Sequence, residues 1–459
     1  MQKKALLALL LALTLCLSGC ALIVKDEAVD AATVILTFGD KTVTKGEILK
    51  AAEEELLNNS YMYQMYGYSY DATDPDNIKA AREAAIENMK TSMIQEAKIA
   101  ELGLTLTEEE EKAAEEDAQS DYDYAVDYVK NNVLQDSGLE GEELDKAVEE
   151  EMTKRGISKD QYLKDARTSA LNDKLREYII KDVTVSDEEI QAEYNTQVAS
   201  SKETYGENPG AYASAVNKGT TVYYAPEGVR RVKNLLTKFH EEDQTAIDDA
   251  NAKVSAANTA ISSANTMIND SQEIIDDAEA TEEAKTQAQA DLATAQANLE
   301  KANADLEAAN AELAAAREKG YANLDEEVDA ILTQLAEGAD WDTLMAEKTQ
   351  DPGMKSGTSS EKGYAISADM TGFDPAFVEA GMALEKIGDY SGKVAGDSYG
   401  YYIIRYVADE PAGEIGLDNV KDEIREDLLS KKQDETYDST LAEWVEQAGF
   451  KVDMNALNN

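Results

Sequence analysis

The single histidine of this chain, His240, stands directly before Glu241, Glu242 and Asp243, a grouping of residue types that could hold a cation. A metal needs several ligands at fixed spacing, and no second histidine or spare thiol is present, so His240 reads as a solvated loop residue and no metal is expected. No Ser-His-Asp set, phosphate-binding glycine loop or dinucleotide fingerprint occurs, so nucleophilic, phosphoryl and hydride chemistry lack their parts, and no cofactor is expected. Recognition is better supplied. Residues 61–70 run Tyr-Met-Tyr-Gln-Met-Tyr-Gly-Tyr-Ser-Tyr, and tyrosine with methionine offers adaptable apolar contact plus a polar tip. Tyr63, Tyr66 and Tyr68 are its candidate ligand-binding residues; the competing reading is a loop packed on its own helices.

The two cysteines, Cys16 and Cys20, lie in the first twenty residues. Lys3 and Lys4 precede an apolar run, Ala5 to Leu17, too short to span a bilayer but suited to the core of an export leader. The run ends in Leu17-Ser18-Gly19-Cys20, which resembles the bacterial lipobox, so Cys20 is the expected lipidation site and residues 1–19 the expected leader. No second apolar run approaches twenty residues. The chain is therefore expected outside the cytoplasm, held on the outer face of the bacterial cell membrane through lipid on Cys20. Loss of the leader removes two of the 43 basic residues and none of the 93 acidic ones, giving 41 − 93 = −52. Such a charge repels nucleic acid and anionic headgroups, and no nucleic acid partner is expected.

Length comes next: 459 residues exceed one hydrophobic core. Residues 20–32 read as a tether. Thr33–Phe38 is a β-branched strand, Gly39-Asp40 its turn and Lys41–Val43 its return. Four pairs with capping-box spacing, Thr44/Glu47, Thr107/Glu110, Ser158/Gln161 and Ser186/Glu189, start helices, with Gly103 and Gly156 as stops. After Pro75, the residues Ile78, Ala85, Met89, Met93 and Ala97 share one helix face. Residues 241–320 differ in kind. Ile247, Val254, Ile261, Ile268 and Ile275 fall seven apart, as do Leu292, Leu299, Leu306 and Leu313, each followed three residues later by a small residue. With a turn near 276–281 this predicts a closely packed antiparallel coiled-coil hairpin with arms of roughly 50 Å. Beyond it come a helix over 324–337, a second capped by Asp340, a strand over 401–407, a long helix from 418 to about 445 and a closing strand over 450–454.

One set of motifs then resembles a known family. Val232–Thr237 looks like the first strand of a parvulin-type prolyl isomerase. Gly338-Ala339-Asp340-Trp341, Thr349-Gln350-Asp351-Pro352-Gly353, Phe373-Asp374-Pro375-Ala376-Phe377, Gly388–Gly392 and Gly400–Ile404 continue the match in order. The flanks, TVILTFGDKTVTKGEIL, LGLTLTEEE and VTVSDEEIQAEY, are similar to PrsA-type foldase lipoproteins and their SurA-like relatives. The resemblance implies an α+β fold: a helical chaperone domain (33–225 and 411–459) and a parvulin-like domain (226–240 and 321–410) interrupted by the coiled coil (241–320). It also implies unfolded or nascent exported polypeptides as clients. Met370 and Phe377 would form an apolar cup for the proline ring, and Asp351 would stand beside the rotating bond.

This chain departs from that family at the residues that matter most. The two histidines usual on the first and last strands are replaced by Asn234 and Tyr402, which are expected to hydrogen-bond each other across the site floor. Tyr399 replaces a small hydroxyl residue, and the glycine-rich turn becomes Ser359-Ser360-Glu361-Lys362-Gly363, with a lysine where an apolar wall is usual. Two readings stay open for the site, weak isomerisation or binding alone. A rival from another class is a non-catalytic cell-surface adaptor whose hairpin binds a partner protein.

Overall fold

The computed structural model describes residues 27–458; the leader, Cys20 and the start of the tether lie outside the described residues. The chain forms two compact units, one taking it up to Val185 and again from Glu426, the other Ser186–Arg425.

In the first unit the strand Val34–Phe38 lies between Lys41–Thr44 and Lys451–Val452, antiparallel to both, so segments far apart in sequence share one sheet. The closing strand is shorter than the sequence suggests because the Asp453 carboxylate accepts from the Ala456 N–H at 2.9 Å and starts a last helical turn, Met454–Asn458. Helices follow at Lys45–Met65, Pro75–Leu102, Glu108–Tyr128, Gly141–Lys154 and Lys159–Ile180. At Thr44 and Thr107 the capping boxes close in both directions. Ser158 closes one half only, since the Gln161 amide donates to Asp165 at 2.8 Å instead. Ile35, Leu36, Ile48, Ile86, Met93 and Leu457 form the main core of this unit. Tyr63, Tyr66 and Tyr68 are all exposed at the end of the first long helix and just beyond it, the first of them in ring contact with Tyr70.

The second unit is built on a four-stranded antiparallel sheet. Its strands are β1 (Arg230–Lys238), β2 (Tyr364–Ile366), β3 (Val394–Gly396) and β4 (Gly400–Asp409), in spatial order β2-β1-β4-β3. Leu235 pairs with Ile403 and Leu236 with Tyr402, so the strands before and after the hairpin are direct neighbours. The edge at β2 is closed by a side chain. The Asn217 amide donates to the Ala365 carbonyl and accepts from the Ala365 N–H, both at 2.8 Å, as a further strand would.

Between β1 and β2 the chain runs out and back as α1 (Glu241–Asp276) and α2 (Glu282–Ala336), with Thr281 capping the return. Ala250, Ala257, Ala264 and Ser271 are buried against Ala288, Ala295, Ala302 and Ala309, while the seven-residue series of isoleucine and leucine beyond Ile247 is only half-buried. The helices approach until the small residues meet, and the larger ones flank the seam. The second arm does not stop at the domain: α2 is continuous to Ala336, merging the expected arm with the expected helix over 324–337. At the join, a Cβ on Gly320 would lie 2.8 Å from the Phe239 ring, which is why a glycine interrupts a helix of strong formers. Two shorter helices, α3 (Trp341–Lys348) and α4 (Pro375–Ala383), follow.

Two cores sandwich the sheet. On one face Leu235 and Ile403 meet Phe239, Ile247, Leu324, Val328, Ile331, Trp341 and Leu344. On the other, Val232, Leu236, Tyr402 and Ile404 meet Ile366, Phe377 and Val378.

Candidate functional site

The second of these faces carries the site. Strand alternation puts Asn234 on the side of Val232 and Leu236, where it is 1% exposed. A buried amide needs partners, and its Nδ2 donates to Asp351 Oδ2 at 2.8 Å. The other carboxylate oxygen accepts from the Tyr364 hydroxyl at 3.1 Å and from the Gly353 N–H at 2.9 Å. Asp351 is itself stitched to β1 by its neighbours. The Thr349 hydroxyl accepts from Leu236 N–H and from Asp351 N–H, both at 3.2 Å, and the Gln350 N–H donates to the Leu236 carbonyl at 2.8 Å.

Beside this polar triad runs a row of rings. Tyr364 and Phe373 are 5.2 Å apart, Phe373 and Phe377 5.7 Å, Phe377 and Tyr402 5.1 Å, edge-on at both ends. Phe377 and Tyr402 are buried against each other, whereas Tyr364, Met370 and Phe373 are half-buried at the rim. Burial, with the Asp351 charge nearby, pushes the Tyr364 phenol well above its usual value. Burial likewise raises that of Tyr402, with Asp374 and Asp351 adding to it. Both phenols are neutral at physiological pH, and that of Tyr364 donates to Asp351.

Asn234, Asp351, Met370, Phe377 and Tyr402 therefore come together around one face, but not as expected in detail. The anticipated Asn234–Tyr402 hydrogen bond is replaced by Asn234–Asp351, because a carboxylate is the stronger acceptor and attracts the amide donor. Asn234 stands opposite Ile404 and Tyr402 opposite Leu236, and the Tyr402 ring turns onto Phe377. Asn234 Oδ1 is left buried without a partner. Lys362 is exposed on a short helix, Thr358–Lys362, so it forms no wall. His240 sits at the N-cap of α1, 3.9 Å from Asp243. Thr349 and Phe373 stood in the matched strings without a role, and Tyr364 was not singled out in the sequence. The cue was there in Gly363-Tyr364-Ala365-Ile366: Gly363 has φ +85° and a Cβ on it would lie 2.8 Å from the Val232 carbonyl oxygen, so the glycine marks the crossing that delivers Tyr364.

Chemically, the face offers apolar contact, a fixed carboxylate and neutral hydroxyls. A sheet split by an inserted hairpin, with this residue set on one face of a helix-rich α+β chain, is the layout that the sequence resemblance to a parvulin-like unit implies. No family model matches the chain. It is 26% identical over 196 residues to the foldase protein PrsA of Clostridium acetobutylicum, covering 42% of this chain and 51% of that relative. It is 30% identical over 131 residues to the foldase protein PrsA of Clostridium botulinum, covering 28% of this chain and 37% of the relative. Over those stretches the chain is similar to PrsA-type foldases, and it spans about half the length of the first of these relatives. A solved structure of the peptidylprolyl isomerase PrsA from Bacillus anthracis aligns with 75% of this chain and 98% of its own, at 14% identity and a TM-score of 0.18.

Proposed function

We propose that this chain is an extracytoplasmic foldase for exported proteins, whose parvulin-like unit holds proline-containing segments and turns them over slowly. The observation that carries the reading is the pairing of Leu235 with Ile403 across the hairpin, which assembles Asn234, Asp351, Phe377 and Tyr402 on one face. Rotation about an X-Pro bond is opposed by about 18–20 kcal/mol of amide resonance, and an apolar, water-poor surface favours the twisted, less dipolar amide. Half-buried Met370 and Phe373 offer such a surface at the rim. The deeper position is occupied, because Phe377 and Tyr402 pack on each other, and Asp351 already accepts three hydrogen bonds. Holding is therefore favoured over fast turnover. Exposed Tyr63, Tyr66 and Tyr68 supply aromatic contacts for unfolded chains in the other unit.

Lipid on Cys20 would keep this activity at the membrane surface, and no described helix is long and apolar enough to cross a membrane. The hairpin would add a site for a protein partner, since Met267 and Ile274, one heptad apart near its tip, are exposed. The test pairs two measurements on the full chain. It should slow aggregation of an unfolded secreted protein at micromolar concentration, and should raise the isomerisation rate of a proline peptide only weakly. No protection of any client sinks the foldase reading. Fast turnover abolished by Met370→Ala would make the unit an efficient enzyme instead.

A further inference from the structure

The first arm of the hairpin does more than project. Its opening turns form one wall of a groove of about 760 Å³. Glu241, Gln244, Asp248 and Asn251 of α1 face Gln350 and Tyr399 across it. Gln350 is the residue before Asp351 and is tied to β1, its N–H to Leu236 and its side-chain oxygen to the Lys238 N–H, so the groove begins one residue from the polar triad. Tyr399, 53% exposed, closes the opposite side and is fixed through its carbonyl, which accepts from the Phe239 N–H at 2.8 Å. The one lysine on the lining, Lys238, holds its ammonium 6.0 Å from the centre of the Tyr399 ring.

The geometry points to a subsite for the stretch of client flanking the proline, selective for lysine and arginine side chains. This rests on the foldase reading and names its substrate class. Three primary amides line it: Gln350 keeps its NH2 group for a backbone carbonyl, Gln244 keeps its oxygen for a backbone N–H while its NH2 donates to Asp248 at 2.9 Å, and Asn251 offers both. Glu241 and Asp248 give the arm wall its charge, while Lys238 lies over the tyrosine. A chain of net charge −50 draws cationic segments toward such a wall and repels anionic ones. Tyr399, which departs from the small hydroxyl residue usual there, gains a role as an aromatic wall for the apolar part of the client stretch, with Lys238 over one of its faces. The inserted hairpin thereby becomes a specificity element.

The test is fluorescence anisotropy with the full chain and two labelled peptides that share an Ala-Phe-Pro-Phe centre, one flanked by lysines and one by glutamates. At low salt the lysine peptide should bind about three- to tenfold more tightly, as expected for two rim ion pairs. In the double variant Glu241→Gln, Asp248→Asn that ratio should fall toward one, with binding of the glutamate peptide retained or improved. A control variant, Glu300→Gln with Glu307→Gln, removes the same charge from an exposed stretch of the second arm and should leave the ratio unchanged. Equal affinities for the two peptides, or an equal loss in the control, would overturn the subsite and leave the foldase reading standing. Binding of neither peptide would overturn both.

Discussion

Asn234 and Asp351 stand 117 positions apart, and neither residue taken alone signals the other. Their bond is the product of two separate decisions, the pairing of β1 with β4 and the stitching of Thr349–Asp351 onto the edge of β1. That is why residue type pointed to this face but to the wrong partner for Asn234: donor geometry depends on distant chain segments. Changing Asn234 to Asp would put two carboxylates within hydrogen-bond distance, an arrangement that requires one of them to hold a proton. The variant should be near wild type at pH 4 and fall behind by about 3 kcal/mol at pH 7, read from denaturant unfolding at the two pH values. Phe377, 2% exposed, is a core residue as much as a site residue. Its replacement by Ala should cost about 3–5 kcal/mol. Met370→Ala, at the rim, should lower peptide affinity with a much smaller loss of stability, and the contrast separates packing from recognition.

Elements with local rules were readable in advance. The capping boxes at Thr44, Thr107 and Ser186 close as their spacing predicts, because each is complete within four residues. The helix Gly141–Lys154 has no side-chain cap at Glu140, and nothing local announced it; Val148 and Met152 hold it by packing on Ala125 and Val129. Glu110 shows a local device with a long-range partner. Its pKa is lowered to about 2, first by the Lys174 ammonium and then by the N–H and hydroxyl of Thr107. A depressed carboxyl contributes stability that is fully present above its unfolded pKa of 4.5 and is lost as pH falls toward 2. Lys174→Met should therefore flatten the acid limb of the melting curve between those values while changing little below them. In the hairpin, the alanine seam reverses the usual ranking of substitutions. Ala264→Leu should cost about 1–3 kcal/mol by prising the arms apart, more than Ile261→Ala at a half-buried flank, which should cost about 1 kcal/mol. Thermal melting by circular dichroism distinguishes the two.

At the scale of the whole molecule, charge and length dominate. A net charge of −50 means self-repulsion in every compact state, so the melting temperature should climb as salt rises from about 0.01 to 0.5 M. Heptad spacing made the hairpin legible, but its merger with the domain was not. The repeat ends at Ala316, and the later contacts of Leu324, Val328, Ile331 and Leu335 belong to the core on the sheet, which Ile247 joins from the root of the first arm. Shortening the rod by two heptads in each arm (residues 254–267 and 298–311), inside the Lys253–Glu312 ion pair, should leave the near-ultraviolet spectrum of the sheet cores unchanged.

Because α2 passes from the tip to the base without proline or break, the hairpin has no knee. A displacement at the tip would be carried along α2 toward Leu324 and Ile331, the side chains that brace β1 and β4 from behind. The arm is a lever rooted behind the sheet, and whatever grips its far end also has a hold on β1 and β4.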